Sequence, residues 1–200
     1  MAKKRTLAQV VGTLPKFRVE PQLLLHPQIP QPMHGLAPRV VLGLAWWNRE
    51  RRKVYASNQF HCQACGVSKT NAKYHQWLEA HEVYDIDYER GRMTYLHAVP
   101  LCHFCHAFIH DGRLQWLLET GRLNYAKYAS IIQHGDAVLA AAGLERPTRI
   151  ERERYIHGLA INGLLAKWSD WRMVIDGIEF LPLYNSVEEY NEANTKIWEE

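Results

Sequence analysis

The sequence predicts an α+β fold in which a small metal-stabilised core is flanked by helices and followed by a C-terminal β-hairpin. Alternating strand-like segments lie among paired cysteines and histidines between residues 61 and 110, whereas apolar residues recur at intervals of three and four on either side. The dipeptide Asp176-Gly177, between two short apolar runs, is a strong hairpin signal. We therefore expect an irregular Pro-rich basic arm at 1–40, a core with a zinc site at 41–120 and a helical extension with the hairpin at 121–200.

The composition limits the class of protein. The chain has 200 residues, of which 47% are hydrophobic and 22% charged, an ordinary composition for a globular protein. No apolar run has the length that a membrane span needs, so we expect no membrane partner. All four cysteines lie in one stretch, which fits a metal site in a reducing cytoplasm better than a disulfide scaffold.

The positive charge is concentrated in the N-terminal third. Residues 1–60 contain ten lysines and arginines against two acids, although the whole chain carries a formal net charge of only +3. A basic segment beside a metal site favours a polyanion, and DNA is the predicted partner. The side chains predicted to contact phosphates are Arg49, Arg51, Arg52 and Lys53. A solvated face without any partner is the alternative interpretation.

The predicted elements follow from periodicity and from Gly and Pro positions. Closely spaced prolines make residues 1–38 irregular, and the apolar residues among them suggest that this arm lies on the domain. The pattern then predicts a helix at 40–58, strands at 77–84 and 93–99 with Pro100 ending the second, and a helix from His103. Helices at 114–120, 122–142 with a break at Gly135, and 148–168 follow, then the hairpin at 171–181 and a last helix from Ser186.

Two Cys-x-x-Cys pairs predict a structural zinc ion. Their cysteines are Cys62, Cys65, Cys102 and Cys105. Each pair can present two thiolates from a tight turn, and four thiolates in tetrahedral arrangement are a common ligand set for Zn²⁺. Gly66 directly follows the first pair, where positive φ suits the turn.

The histidines around these pairs follow an ordered pattern. His81 lies in LEAHEV, His97 in LHAVPLC, and the segment Leu101-Cys102-His103-Phe104-Cys105-His106 starts a predicted helix. This order over residues 61–110 resembles the HNH (ββα-metal, His-Me finger) endonuclease family. The resemblance implies a ββα-metal HNH core with zinc knuckles within 41–120, and a metal-dependent endonuclease that hydrolyses phosphodiester bonds in DNA.

The resemblance also implies roles for single residues. His81 is expected to be the general base, and His97 a second catalytic residue that binds the ion or orients His81. His106 and His110 lie four residues apart on one helix face, so both imidazoles can meet one ion. With His97 and Glu82 they are the expected ligands of a catalytic divalent metal (Mg²⁺, Mn²⁺, Ni²⁺ or Zn²⁺).

Two positions depart from the family pattern. Ala80 stands where the family commonly has a metal-binding Asp or His, and His97 stands where it has Asn. Glu79 or Glu82 would supply the missing ligand, or the ion would have fewer protein ligands. The alternatives to an enzyme are a catalytically inactive, zinc-stabilised DNA-binding module and a zinc adaptor for protein partners.

Overall fold

The computed structural model describes residues 17–199, which form an α+β fold as the sequence predicts. Within these residues one sheet has four strands in sequence order. They are β1 (Glu79–Asp87), β2 (Arg92–Leu101), β3 (Arg172–Ile175) and β4 (Ile178–Phe180). The pairs β1–β2 and β3–β4 are antiparallel and β2–β3 is parallel, so two hairpins from distant parts of the chain share one sheet.

Seven α-helices accompany the sheet in the described part of the chain. They are α1 (Pro38–Val41), α2 (Gly43–Ser57), α3 (His103–Ile109), α4 (Asp111–Glu119), α5 (Tyr125–Ala141), α6 (Arg149–Ile161) and α7 (Val187–Glu199). None of these described helices combines the length and apolar character that crossing a membrane requires.

The first hairpin is longer than the sequence predicts. Its turn requires Gly91, because φ is +65° and a Cβ there would lie 3.0 Å from the Ala166 side chain. The prediction that Pro100 ends the second strand is wrong, since Pro100 pairs with Ala80 inside β2. Proline lacks a backbone N–H donor but keeps its carbonyl oxygen. Here the Pro100 oxygen accepts a hydrogen bond from the Gln63 N–H at 2.7 Å.

The two faces of the first hairpin pack against different helices. On one face the small residues Ala80 and Ala98 contact Trp47 and Val54 of α2. Because side chains alternate along a strand, His81 and its partner Val99 point to the other face. Val99 belongs there to the core cluster that also contains the cysteines and α3. The pleat therefore directs His81 toward α3.

The second hairpin turns where the sequence predicts. Asp176 and Gly177 both have positive φ, 49° and 79°, as a type I′ turn requires. The preceding Trp171 and Met173 are buried beside Met33 of the N-terminal segment. The predicted extension and the predicted arm thus contribute to one core cluster with the first hairpin.

The described part of the N-terminal arm lies on the domain, as its apolar residues suggest. Short 3-10 turns at Pro21–Leu25 and Gln31–Met33 bury Leu24 and Met33. The first sixteen residues of the predicted arm lie outside the described residues.

Helix α5 is continuous, so the predicted break at Gly135 is wrong. The glycine has a packing role instead. A Cβ at this position would lie 2.1 Å from the Phe108 ring of α3. Gly135 therefore permits the close approach of α5 to the helix that carries His106 and His110.

Candidate metal centres

The four cysteines meet in one group, as the paired spacing predicts. Their sulfur atoms all lie within 4.8 Å of one another, and Sγ of Cys65 is 3.8 Å from Sγ of Cys102. Four sulfurs bound to a tetrahedral zinc at about 2.3 Å lie about 3.8 Å apart, so the spacing fits this metal. All four are free thiols, and the group can hold a zinc ion.

Two local turns bring the thiols together. In the first, the Gly66 N–H donates to the Cys62 carbonyl oxygen at 2.8 Å, and Gly66 has φ of +76° as expected. In the second, Cys102 precedes α3 and its carbonyl oxygen accepts from the His106 N–H at 3.0 Å. The group thereby joins the loop before β1 to the junction of β2 and α3.

The sulfur environment favours deprotonation of some thiols over others. Hydrogen bonds with neighbouring thiols, with Cys102 first, lower the pKa of Cys62 and raise the pKa of Cys105. Nε2 of His134, on α5, lies 3.4 Å from Sγ of Cys105 and can donate a hydrogen bond to it. The sequence gives no signal for this contact, because His134 is far from the cysteine motif.

Three histidines form a second group. Ring nitrogens of His81 on β1 and of His106 and His110 on α3 and its C-terminal end lie within 4.8 Å of one another. The two Nε2 atoms of His106 and His110 are 3.2 Å apart. Two nitrogens bound to one tetrahedral zinc lie about 3.3 Å apart, so this pair also fits a shared cation.

The state of His81 supports a cation in this group. His81 is 3% exposed, and neither of its ring nitrogens has a hydrogen-bond partner in the described structure. A buried polar group without a partner costs about 1–3 kcal/mol, which a bound cation would offset. Burial lowers the pKa of His81 well below its usual value, so the ring is the neutral imidazole that metals bind.

A carboxylate lies behind the histidine group. Glu79 accepts hydrogen bonds from His75 at 3.0 Å and His103 at 2.9 Å through Oε1, and from Nδ1 of His106 through Oε2. Burial alone would raise its pKa, but the bonds from His103 and His106 hold that pKa well below its usual range. The ionised carboxylate orients His106, as acidic residues do behind metal-bound imidazoles.

Two predicted ligands lie elsewhere. His97 is exposed on β2 and lies outside the group of His81, His106 and His110. Glu82 is buried on the other side of β1, and its Oε1 accepts from Arg39 at 3.1 Å. Of the predicted catalytic ligands, the structure therefore brings together His106 and His110, and it adds His81, which the sequence assigns to the general base.

The N-terminal segment contributes a histidine that the sequence analysis does not identify. The His26 ring lies edge-on to His81, with 5.0 Å between ring centroids. Its Nδ1 is 2.9 Å from the Pro27 carbonyl oxygen, which only accepts, so Nδ1 carries the hydrogen. Nε2 then keeps its lone pair, toward which the Tyr84 N–H points at 3.4 Å.

The basic residues of α2 remain at the surface. Arg49, Arg51, Arg52 and Lys53 are all exposed. The helix packs on the face of the hairpin opposite His81. Lys53 pairs with Glu50 at 3.7 Å on the same helix. All four side chains can meet phosphates, but from the opposite side of the strands.

The described part of the chain is therefore an α+β protein with three groups that could each hold a metal ion: the four cysteines, the three histidines, and His75 with Glu79 and His103. No family model, curated protein or solved structure matches the sequence or the fold.

Proposed function

We propose that the protein is a metal-dependent endonuclease of the HNH type that hydrolyses phosphodiester bonds in DNA. One observation carries the proposal. The imidazoles of His81, His106 and His110 converge from a β-hairpin and the following helix, beside a four-cysteine group that joins the two. This combination agrees with the order of the motif in the sequence.

His81, His106 and His110 are the proposed ligands of the catalytic ion. A divalent cation held there would stabilise negative charge on the phosphate and on the leaving 3′ oxygen. Imidazole ligands suit Mn²⁺, Ni²⁺, Co²⁺ or Zn²⁺ better than Mg²⁺. The zinc of the cysteine group has a separate, structural role, because four thiolates leave no position open for substrate.

The proposed ligand role of His81 leaves the general base to be assigned. His26 is the imidazole beside His81 that lies outside the ligand group, and its Nε2 lone pair has only a long hydrogen bond. We propose that His26 takes the proton of the attacking water. His81 as base, the role expected from the sequence, is the competing assignment.

The exposed basic residues of α2 are proposed to contact DNA phosphates. Because α2 packs behind the hairpin, these contacts would hold a DNA segment away from the reaction centre. Such contacts contribute affinity without sequence preference, and the affinity decreases steeply as salt increases.

Cleavage of supercoiled plasmid under a panel of divalent metals, with an EDTA control, tests the proposal. We expect metal-dependent cleavage, reduced about a hundredfold or more in His26→Ala with metal content unchanged. His81→Ala should lose the ion of the histidine group and keep the zinc. If His81→Ala instead keeps both metals and loses cleavage, His81 is the base.

The same assay decides between enzyme and binding module. DNA binding without cleavage under every metal would favour the inactive zinc-stabilised module. Absence of both binding and cleavage would leave the adaptor interpretation.

A further inference from the structure

We infer that an exposed group of aromatic residues stacks on unpaired bases of a nucleic-acid strand, beside the group of His81, His106 and His110 (the histidine centre). This inference rests on the proposed function and specifies its substrate. The group, here called the aromatic ledge, consists of Tyr74, His75, Trp77 and His103. Its first three members lie between the first cysteine pair and β1, and His103 begins α3.

The ledge is built from two stacked pairs. The Trp77 ring lies on His75 with 3.5 Å between centroids and 10° between planes. Tyr74 lies on His103 at 4.5 Å and 25°. Yet Trp77 is 53% and Tyr74 65% exposed, so each pair presents a large aromatic ring to solvent. Trp77 is packed on one side by His75 and exposed to solvent, and such a ring is the arrangement on which nucleobases stack.

Folding alone does not account for this exposure. Tyr74 has φ of +77°, a left-handed conformation that bulky residues rarely adopt and that costs about 1–3 kcal/mol. The neighbouring Leu78 is 5% exposed and anchors the segment in the core. The exposed positions of Tyr74 and Trp77 therefore belong to a segment that is packed on the domain. Strain kept at an exposed aromatic residue points to a binding role.

The ledge also carries a positive charge. Nζ of Lys127, from the first turn of α5, lies 2.9 Å from the centroid of the Tyr74 ring. The ammonium group covers one face of Tyr74, so Trp77 is the ring that offers a face to a base, and the positive charge on the ledge attracts the phosphates of the strand.

Glu79 fixes the ledge relative to the metal centre. The carboxylate accepts from both imidazoles of the ledge and from His106 of the centre. His103 and His106 also lie on adjacent positions of one helix face, where Cβ atoms are about 5–6 Å apart. A base on the ledge therefore brings the neighbouring part of its strand to the centre.

The expected substrate has unpaired bases. In a duplex each base is covered on both faces by its neighbours, and no face is free for Trp77. His75, Glu79 and His103 could alternatively hold a metal ion. In the described structure, however, both imidazoles already donate to Glu79, so the carboxylate and its partners are satisfied without one.

Binding of a labelled single-stranded oligothymidylate, followed by anisotropy without added divalent metal, tests the inference. Trp77→Ala should raise the Kd for the single strand about 5- to 100-fold, with little change for a duplex of equal length. Trp77→Phe should keep most of the affinity because it keeps a ring. Tyr155→Ala, at an aromatic side chain 59% exposed on α6, is the matched control and should bind like the parent.

Melting temperature and zinc content of each variant establish that the fold is intact. Equal losses for single strand and duplex, or no loss in Trp77→Ala, would overturn the inference. So would a bound metal, in addition to the cysteine zinc and to the ion of His81, His106 and His110, that disappears in His75→Ala. Because binding is measured without cleavage, a parent that binds the single strand through Trp77 but never cuts would refute only the nuclease.

Discussion

Nδ1 of His106 donates a hydrogen bond to Oε2 of Glu79. Since an ionised carboxylate only accepts, this bond places the imidazole hydrogen on Nδ1 and leaves a lone pair on Nε2. That lone pair faces Nε2 of His110 at 3.2 Å. Glu79 thus fixes the tautomer of His106 that a metal ion at the histidine centre needs.

Replacement of Glu79 tests this relationship. In Glu79→Gln one oxygen becomes an amide N–H₂ that meets the N–H groups of the histidines, so at least one imidazole loses its acceptor. We expect metal affinity at the histidine centre to fall about 10- to 100-fold while the cysteine zinc remains. Titration of the zinc-loaded protein with Co²⁺, followed by calorimetry, measures the change.

Glu82→Gln is the matched control for that experiment. Its carboxylate pairs with Arg39 and not with the histidines, so the Co²⁺ affinity should equal that of the parent. A loss in Glu82→Gln as large as that in Glu79→Gln would restore Glu82 as a ligand, as the sequence predicts.

The cysteine group is expected to hold the fold of the motif. Cys105→Ser removes one of the four sulfurs that can hold a zinc ion between the hairpin and α3, and the metal-binding free energy of such sites is folding free energy. We expect the variant to lose its zinc and to melt at a much lower temperature. Zinc analysis and circular dichroism check both. His134→Gln should retain the zinc, since His134 is a hydrogen-bond partner of Cys105 and not one of the four sulfur ligands. Native melting with a full zinc in Cys105→Ser would contradict the structural role.

The packing of Gly135 against Phe108 leads to a prediction about stability that does not depend on a bound metal. Gly135→Ala puts a methyl group against the Phe108 ring, where the Cβ would lie 2.1 Å away. Overpacking of this kind costs about 1–3 kcal/mol, and we expect at least that loss in urea unfolding. Gly158→Ala, in helix α6 with no atom within 4 Å of the new Cβ, should instead stabilise by up to about 1 kcal/mol. Equal effects would mean that α5 does not approach α3 as described.

Local signals in the sequence predict much of this protein. Asp176-Gly177 specifies a type I′ turn by backbone preference alone, and the two Cys-x-x-Cys spacings specify the thiolate group. The four-residue spacing of His106 and His110 specifies one helix face. In each case neighbours in sequence determine the geometry, so the prediction requires no knowledge of tertiary packing.

Contacts between distant segments could not be predicted in this way. His26 reaches His81 only because Leu24 and Met33 dock the arm, and a Pro-rich pattern does not say where an arm docks. The parallel pairing of β2 with β3 joins residues eighty positions apart, such as Arg92 and Arg172. These features depend on packing between segments, for which the sequence carries no local signal.

The family resemblance and the structure disagree on the role of His97. The resemblance makes His97 a ligand of the ion or a residue that orients His81. In the structure it is exposed, pairs with Val83 across the hairpin and lies outside the histidine centre. If His97 is not a ligand, as its position in the structure indicates, His97→Ala and His97→Asn should bind Co²⁺ at the histidine centre as tightly as the parent.

His110→Ala provides the contrast for His97, because a ligand of the centre should lose Co²⁺ binding while the zinc remains. Cleavage measured on the same proteins then separates binding from catalysis. Lower cleavage in His97→Ala with unchanged Co²⁺ affinity would indicate that the exposed imidazole contacts substrate rather than the ion. Loss of Co²⁺ in His97→Ala, with recovery in His97→Asn and a preference shifted toward Mg²⁺, would show that an oxygen donor replaces the imidazole as ligand. That outcome would make the family assignment correct and would require β2 to approach α3 more closely than in this structure.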